Sequence, residues 1–200
     1  MSIMKSILLF IIIIFCFESI SAQTDTSKNF MIYQELPPSS EEFTAGTMAA
    51  RTIDGLGFRY YWATEGLNEN DLNFRPTEEA RSSYETMLHI YDLTLVICKA
   101  VQLTPGKTLD RKASPTYTEL RIETLTNLKA VSDRLGISTE ADFEKYTIKL
   151  SGGKEELPFW NVLTGPIEDA IWHVGQIASF RRMSGNPISN EINFLKGTIK

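Results

Sequence analysis

The sequence is poor in the residues that most often carry chemistry. Among 200 residues there are two histidines, His89 and His173, and two cysteines, Cys16 and Cys98. Basic residues are in deficit, with 20 Lys and Arg against 25 Asp and Glu, for a formal net charge of −5. No run of like charge stands out. A nucleic-acid surface needs clustered Lys and Arg, so that class is excluded, and no basic patch suits a membrane surface. Internal repeats and low-complexity segments are also missing.

A membrane-spanning run is lacking too. The longest apolar stretch, Ile7 to Phe17 (ILLFIIIIFCF), is too short to cross a bilayer as a helix. Lys5 precedes it and ESISAQTDTS follows, which is the charge, apolar core and small-residue cut of a secretory signal. Residues 1–22 are therefore read as a signal peptide cut after Ser21 or Ala22. The mature protein is expected to be secreted or periplasmic, free of the membrane; an uncleaved anchor is the alternative. Cys16 lies inside the apolar run rather than at the cut, which argues against a lipoprotein. Cleavage removes Lys5 and Glu18 together, so the net charge is kept. It also leaves Cys98 as the sole thiol. No internal disulfide is then available, and an exported chain must be held by its core alone.

What is present is helical periodicity. The composition, 42% hydrophobic and 22% charged, suits one domain with a sizeable core. Residues 23–40 read as a polar leader ending at Pro37-Pro38. Residues 41–187 carry four helical stretches. The first, Ser40 to Thr64, has a rough face of Phe43, Met48, Ile53, Leu56, Tyr60 and Ala63. Gly46, Gly55 and Gly57 weaken it, and close approach of a neighbouring helix is one reason to keep them. The second, Ser82 to Gln102, has the stripe Tyr84, Leu88, Tyr91, Leu95 and Cys98. The third, Pro115 to Leu135, buries Leu125, Leu128, Val131 and Leu135. The fourth runs from Pro158 to just before Gly185, with a kink predicted at Gly165-Pro166. Before it lies a mixed stretch, with a short helix at EADFEKY and a small hairpin around Gly152-Gly153. Residues 188–200 are a tail without pattern. The expected fold is all-α, a four-helix bundle with a short irregular or hairpin insertion before the last helix. The longer connectors after the first and third helices leave room for crossovers.

Asp169 and His173 are four apart, which places them on one helix face. Gln176 and Phe180 continue that stripe. On the second helix His89 shares a stripe with Glu85 and Asp92. If the second and fourth helices are neighbours, His89, Asp169 and His173 converge inside the bundle as two imidazoles and a carboxylate. Three ligands leave open positions, the pattern of a reactive metal centre rather than a structural one. The plainer alternative is a helix-surface pair and a hydrogen-bonded boundary histidine, because D-x-x-x-H is much less specific than H-E-x-x-H.

Two segments carry a resemblance. DAIWHVGQIASFRRMSGNP resembles the last helix of the DinB-like family, whose usual form is His, three residues, His, one residue, then Gly-Gln. RPTEEARSSYETMLHIYDL resembles that family's loop and second helix, which carries its first histidine. The resemblance covers roughly residues 40–187. It implies a four-helix bundle with a divalent metal, often dimeric, in a family that includes thiol-dependent transferases. On this resemblance His89 and His173 are metal ligands, and Asp169 stands where the family has a histidine. A carboxylate there suits Zn, Ni, Mn or Fe(II) and moves preference toward harder ions.

Around this set, Gln176 is a candidate to hydrogen-bond a ligand residue, and Glu85 a weak candidate for a general base. Trp172 and Phe180 are expected in the core or at a helix interface, Gly175 where another helix approaches, and Arg181 and Arg182 against their own helix dipole. Cys98 reads as a buried small hydrophobe. Aromatic residues Phe58, Tyr60, Tyr61 and Trp62 exceed what one buried face needs, and suggest a homodimer contact. The functional expectation is a metal-dependent hydrolase or thiol-dependent transferase acting on a small molecule; the substrate is not legible. A transferase needs a small thiol, which export places out of reach. The alternative is a non-catalytic metal- or small-ligand-binding module with a degenerate site.

Overall fold

The structure, a computed structural model, describes residues 32–105, 109–110, 114–150 and 155–200. The proposed signal peptide and the Gly152-Gly153 turn lie outside the described residues. The fold is mostly helical, with two small two-stranded sheets. In chain order the elements are α1 (Ala45–Thr64), α2 (Glu69–Asn73), α3 (Ser83–Ala100), α4 (Tyr117–Gly136), α5 (Glu140–Phe143), β1 (Thr147–Lys149), β2 (Glu156–Pro158), α6 (Phe159–Val162), a π-helical turn (Leu163–Ile167), α7 (Glu168–Met183), β3 (Ile192–Asn193) and β4 (Thr198–Ile199). No described helix is long and apolar enough to cross a membrane.

Hydroxyl caps set the starts of the long helices. Thr44, Ser82 and Thr116 each accept from the backbone N–H three residues on, and the side chain of that residue reaches back to the cap. The first helix thus starts at Ala45, later than Ser40, because Thr44 and Thr47 form the reciprocal cap. Ser40 instead accepts from the Glu42 N–H in a turn. Phe43 precedes the helix and is 88% exposed, and Met48 is exposed as well, so neither belongs to the buried face. Ile53, Leu56, Tyr60 and Ala63 do. The predicted kink is present: Gly165 leaves helical geometry at φ −95°, ψ −105°, beside Pro166.

Packing is by neighbouring pairs. Helix α1 lies against α4 and α7, and α3 lies against the same two. Directions follow from contacts at the ends. The start of α4 meets the end of α1, where the Tyr117 hydroxyl donates to Thr64 O. The end of α7 meets the end of α1 through Arg181. Tyr84, early in α3, donates to Pro115 O just before α4, while Asn127 donates to Thr94 farther along. So α1 and α7 run one way, and α3 and α4 the other. The parallel pair α3–α4 requires a crossover after α3. The shared core is built from Ile53, Leu56 and Tyr60, from Met87, Ile90 and Tyr91, from Leu125, Leu128, Val131 and Leu135, and from Ile167, Ala170 and Ile177.

Two segments read as leader and tail are packed onto this core. The Tyr33 ring is buried, and its hydroxyl donates to Asp54 Oδ1 at 3.0 Å, where Ser132 also donates. Burial, and then the Asp54 charge, push the Tyr33 phenol far up. Arg51 donates to Pro37 O and Trp62 to Gln34 O. At the other terminus β3 and β4 pair antiparallel, and Phe194 meets Phe58 edge-on at 5.6 Å. The helix-one aromatics are covered, Phe58 by Phe194 and half-buried Trp62 through Gln34, with Tyr60 and Tyr61 buried among the helices, so they form no exposed dimer face. The glycines are explained in part. A β-carbon at Gly46 would press on Leu135 O and Ser138 O, and one at Gly57 would overlap the Tyr33 ring. Gly55 meets only Arg59 of its own helix.

Helix α1 reaches its C-cap at Glu65 and the chain turns at Gly66, where φ is +67°, and two buried arginines, Arg121 and Arg181, serve its last carbonyls. Arg181 Nη1 donates to Trp62 O at 2.8 Å, Ala63 O at 3.3 Å and Glu65 O at 3.0 Å. Arg121 lies over the Tyr61 ring, donates to Thr64 Oγ1 and pairs with Glu65. Arg181 therefore serves the end of α1 rather than only its own helix dipole.

The insertion before the last long helix is a hairpin. Strands β1 and β2 pair antiparallel, Thr147 with Pro158, Ile148 with Leu157 and Lys149 with Glu156. It leads directly into α6.

Candidate metal centre

The antiparallel packing of α3 on α7 places the histidine of one beside the D-x-x-x-H stripe of the other. His89 Nε2 lies 3.3 Å from Asp169 Oδ2, and His173 Nε2 lies 3.3 Å from Asp169 Oδ1. The two imidazole rings stand edge to face, 4.6 Å between centroids and 86° apart. One donor atom from each of the three residues lies within 4.8 Å of the others, and among the described residues this is the one such group. Exposure grades across it: the His173 side chain is 12% accessible, His89 28% and Asp169 41%. The group is thus closed on the core side and open toward solvent.

The donor set fits a divalent ion. Two imidazole nitrogens and one carboxylate are borderline-to-hard ligands that suit Zn, Ni, Mn or Fe(II). Donor atoms around a tetrahedral ion with bonds of about 2.1 Å stand roughly 3.4 Å apart; here each imidazole meets a different oxygen of Asp169 at 3.3 Å, and single donor atoms from the three residues lie within 4.8 Å of one another.

Gln176 pairs with the other face of His173, its Oε1 lying 2.8 Å from Nδ1. With the amide oxygen as acceptor, Nδ1 carries a proton, and Nε2 is the ring nitrogen that faces Asp169 Oδ1 at 3.3 Å. Glu85 is engaged elsewhere. Its Oε2 accepts from the Ser82 N–H at 2.8 Å, and Arg75 holds both oxygens. The Ser82 N–H first, and Arg75 with it, keep this carboxyl below the ordinary range. A carboxylate already ionised and fully paired is a poor general base, since that role needs a pKa near the working pH.

Other readings of α7 change. Trp172 is 74% exposed, because the stripe through Asp169 and Gln176 opens to solvent rather than into the core. Gly175 faces open space, with no helix approaching it. Phe180 is buried, 5.9 Å from Phe74. Cys98 is buried, and burial pushes its thiol up to about 11, which makes it inert.

Beside His89 runs a polar groove of about 410 Å³ that includes Arg75, Arg81 and Asp92. The connector folds back to make it, with Arg75 Nη1 donating to Ala80 O at 2.7 Å. No periodic signal announces a loop of this kind. The chain matches no protein-family model, no curated protein and no solved structure.

Proposed function

We propose that the chain is an exported DinB-like four-helix bundle that holds a divalent metal with His89, Asp169 and His173 and acts on a small molecule by hydrolysis. The observation that supports this is the convergence of the chain's only two histidines on one carboxylate, from helices far apart in sequence. When bound, such an ion lowers the pKa of a coordinated nucleophile and polarises an electrophile. The residues supply the rest. Gln176 fixes the tautomer of His173. Asp169 spans both imidazoles. The open side of the group, next to the groove with Arg75 and Arg81, admits the substrate. Hydrolysis is favoured over thiol transfer because export leaves the protein outside the reducing pool, and Cys98 is too buried to supply a thiol.

Metal analysis of the purified protein tests the reading. One equivalent of a divalent ion is expected, and His89→Ala or His173→Ala should each abolish it. Absence of stoichiometric metal, with no uptake from added Zn, Ni or Mn, overturns the site. A bound metal without turnover of ester or phosphoester panels would leave a non-catalytic binding module.

A further inference from the structure

A second cavity, of about 560 Å³, lies between the start of α1, helix α5 and helix α6. It shares no residue with the group of His89, Asp169 and His173. Its volume is that of a small-ligand pocket. The walls are largely apolar: Ala49, Phe143, Phe159 and Trp160. The small side chain of Ala49 leaves room, and Phe143 and Phe159 lock edge to face at 4.7 Å as a rigid floor. Trp160 is 74% exposed, a large indole that no part of the described chain covers.

Thr52 of α1 lines the cavity too, but the cavity's charge enters from one element. Glu140 and Glu144, four residues apart on and just after α5, both line the cavity. Neither carboxylate pairs with a cation among the described residues. The lysines nearest in sequence are committed, Lys145 to Asp142 at 3.5 Å and Lys149 to Glu156 at 3.4 Å. An apolar pocket with an indole face and two unneutralised carboxylates is complementary to one kind of molecule. An organic cation would meet the two carboxylates and the indole, with its apolar body against Phe143 and Phe159.

We propose that this cavity binds an organic ammonium ion with an apolar body, at a site separate from the metal group. Anions are disfavoured by the two carboxylates, and neutral apolar molecules gain only the floor.

A titration with 4-phenylbutylammonium tests this, with 4-phenylbutan-1-ol as the neutral counterpart of similar size. Calorimetry supplies the affinity, and the part of the tryptophan fluorescence change that is lost in Trp160→Phe reports the place. The ammonium is expected to bind roughly tenfold or more tighter than the alcohol, from two partly exposed ion pairs. The double variant Glu140→Gln/Glu144→Gln should erase that preference while leaving the alcohol unchanged. Both positions are exposed, so folding is expected to survive; Trp160→Ala is the second variant, and should weaken both ligands. His173→Ala should bind the ammonium as the parent does, whether or not the metal reading holds. Equal affinity for ammonium and alcohol, an unchanged preference in the double variant, or loss of binding in His173→Ala each overturns the proposal. So does a doubling of mass showing that a second copy covers the cavity.

Discussion

Asp169 Oδ2 stands 3.3 Å from His89 Nε2, although 80 positions separate the two residues. Its other oxygen stands at the same distance from His173. One carboxylate thus ties α3 to α7 and joins the two histidines. Asp169→Asn is expected to weaken metal binding by well over tenfold, since the amide is a poor ligand. Asp169→His should restore tight binding through three imidazoles. Competition against a chromogenic chelator checks both. Undiminished affinity in Asp169→Asn would remove the carboxylate from the ligand set.

Gln176 tests the tautomer argument. Gln176→Ala removes the acceptor on His173 Nδ1 and should cost about ten- to a hundredfold in metal affinity without altering stoichiometry. Gln176→Glu keeps an acceptor and should retain tight binding.

The end of α1 depends on Arg181. This side chain is 5% exposed and serves three carbonyls of another element. Arg181→Ala should destabilise the protein by about 3 kcal/mol, because it strands buried acceptors and the Asp71 charge. Arg181→Lys should recover less than half, lacking the planar fork. Urea midpoints at neutral pH give the comparison.

Asp71 makes part of the stability depend on acid. Burial alone would raise its carboxyl. Hydrogen bonds from Ser184, Asn186 and the Asn68 N–H, with the Arg181 charge, outweigh that and hold it below the ordinary value. A folded pKa below the unfolded one contributes stability that is present above about pH 4 and lost as the pH falls through the folded value. Between pH 5 and pH 2, Asp71→Asn should therefore show a shallower loss of stability than the parent, while being less stable at pH 6. Parallel acid profiles would dismiss the linkage.

Two glycines give opposite expectations. Gly175 is helical and a β-carbon there meets nothing within 4 Å, so Gly175→Ala should add about 1 kcal/mol, or roughly 2–4 °C in melting temperature. Gly57→Ala should lower it, because the methyl group would displace Tyr33 from the Asp54–Ser132 cluster.

The long helices were legible because their signals are local. The stripe of Tyr84, Leu88, Tyr91, Leu95 and Cys98 and that of Leu125, Leu128, Val131 and Leu135 are each read within one stretch of chain. Gly165-Pro166 announced its break for the same reason. The three donor residues were legible through one local spacing, Asp169 to His173, and one distant histidine. What stayed hidden depends on parts of the chain meeting. Arg121 and Arg181 look like surface charges until α1 ends beside them. Tyr33 looks like leader until Asp54 and Ser132 receive its hydroxyl. Trp172 looks like core because periodicity names a face without saying whether that face meets a neighbour or water. The polar groove beside His89 is made by a loop folding back, for which composition offers no pattern.

The π-helical turn at Leu163–Ile167 has a consequence for how the last helix is aimed. Each residue added to or removed from a helix rotates everything beyond it by about 100°. The wide turn and the break at Gly165 therefore act as an angular adjustment between α6, anchored through Phe159 and Val162, and α7. Removing one residue here would leave both helices intact and swing Asp169 and His173 by more than a quarter revolution, away from His89. The alignment of the three donors is thus stored in the phase of this turn as much as in the identities of the residues that carry them.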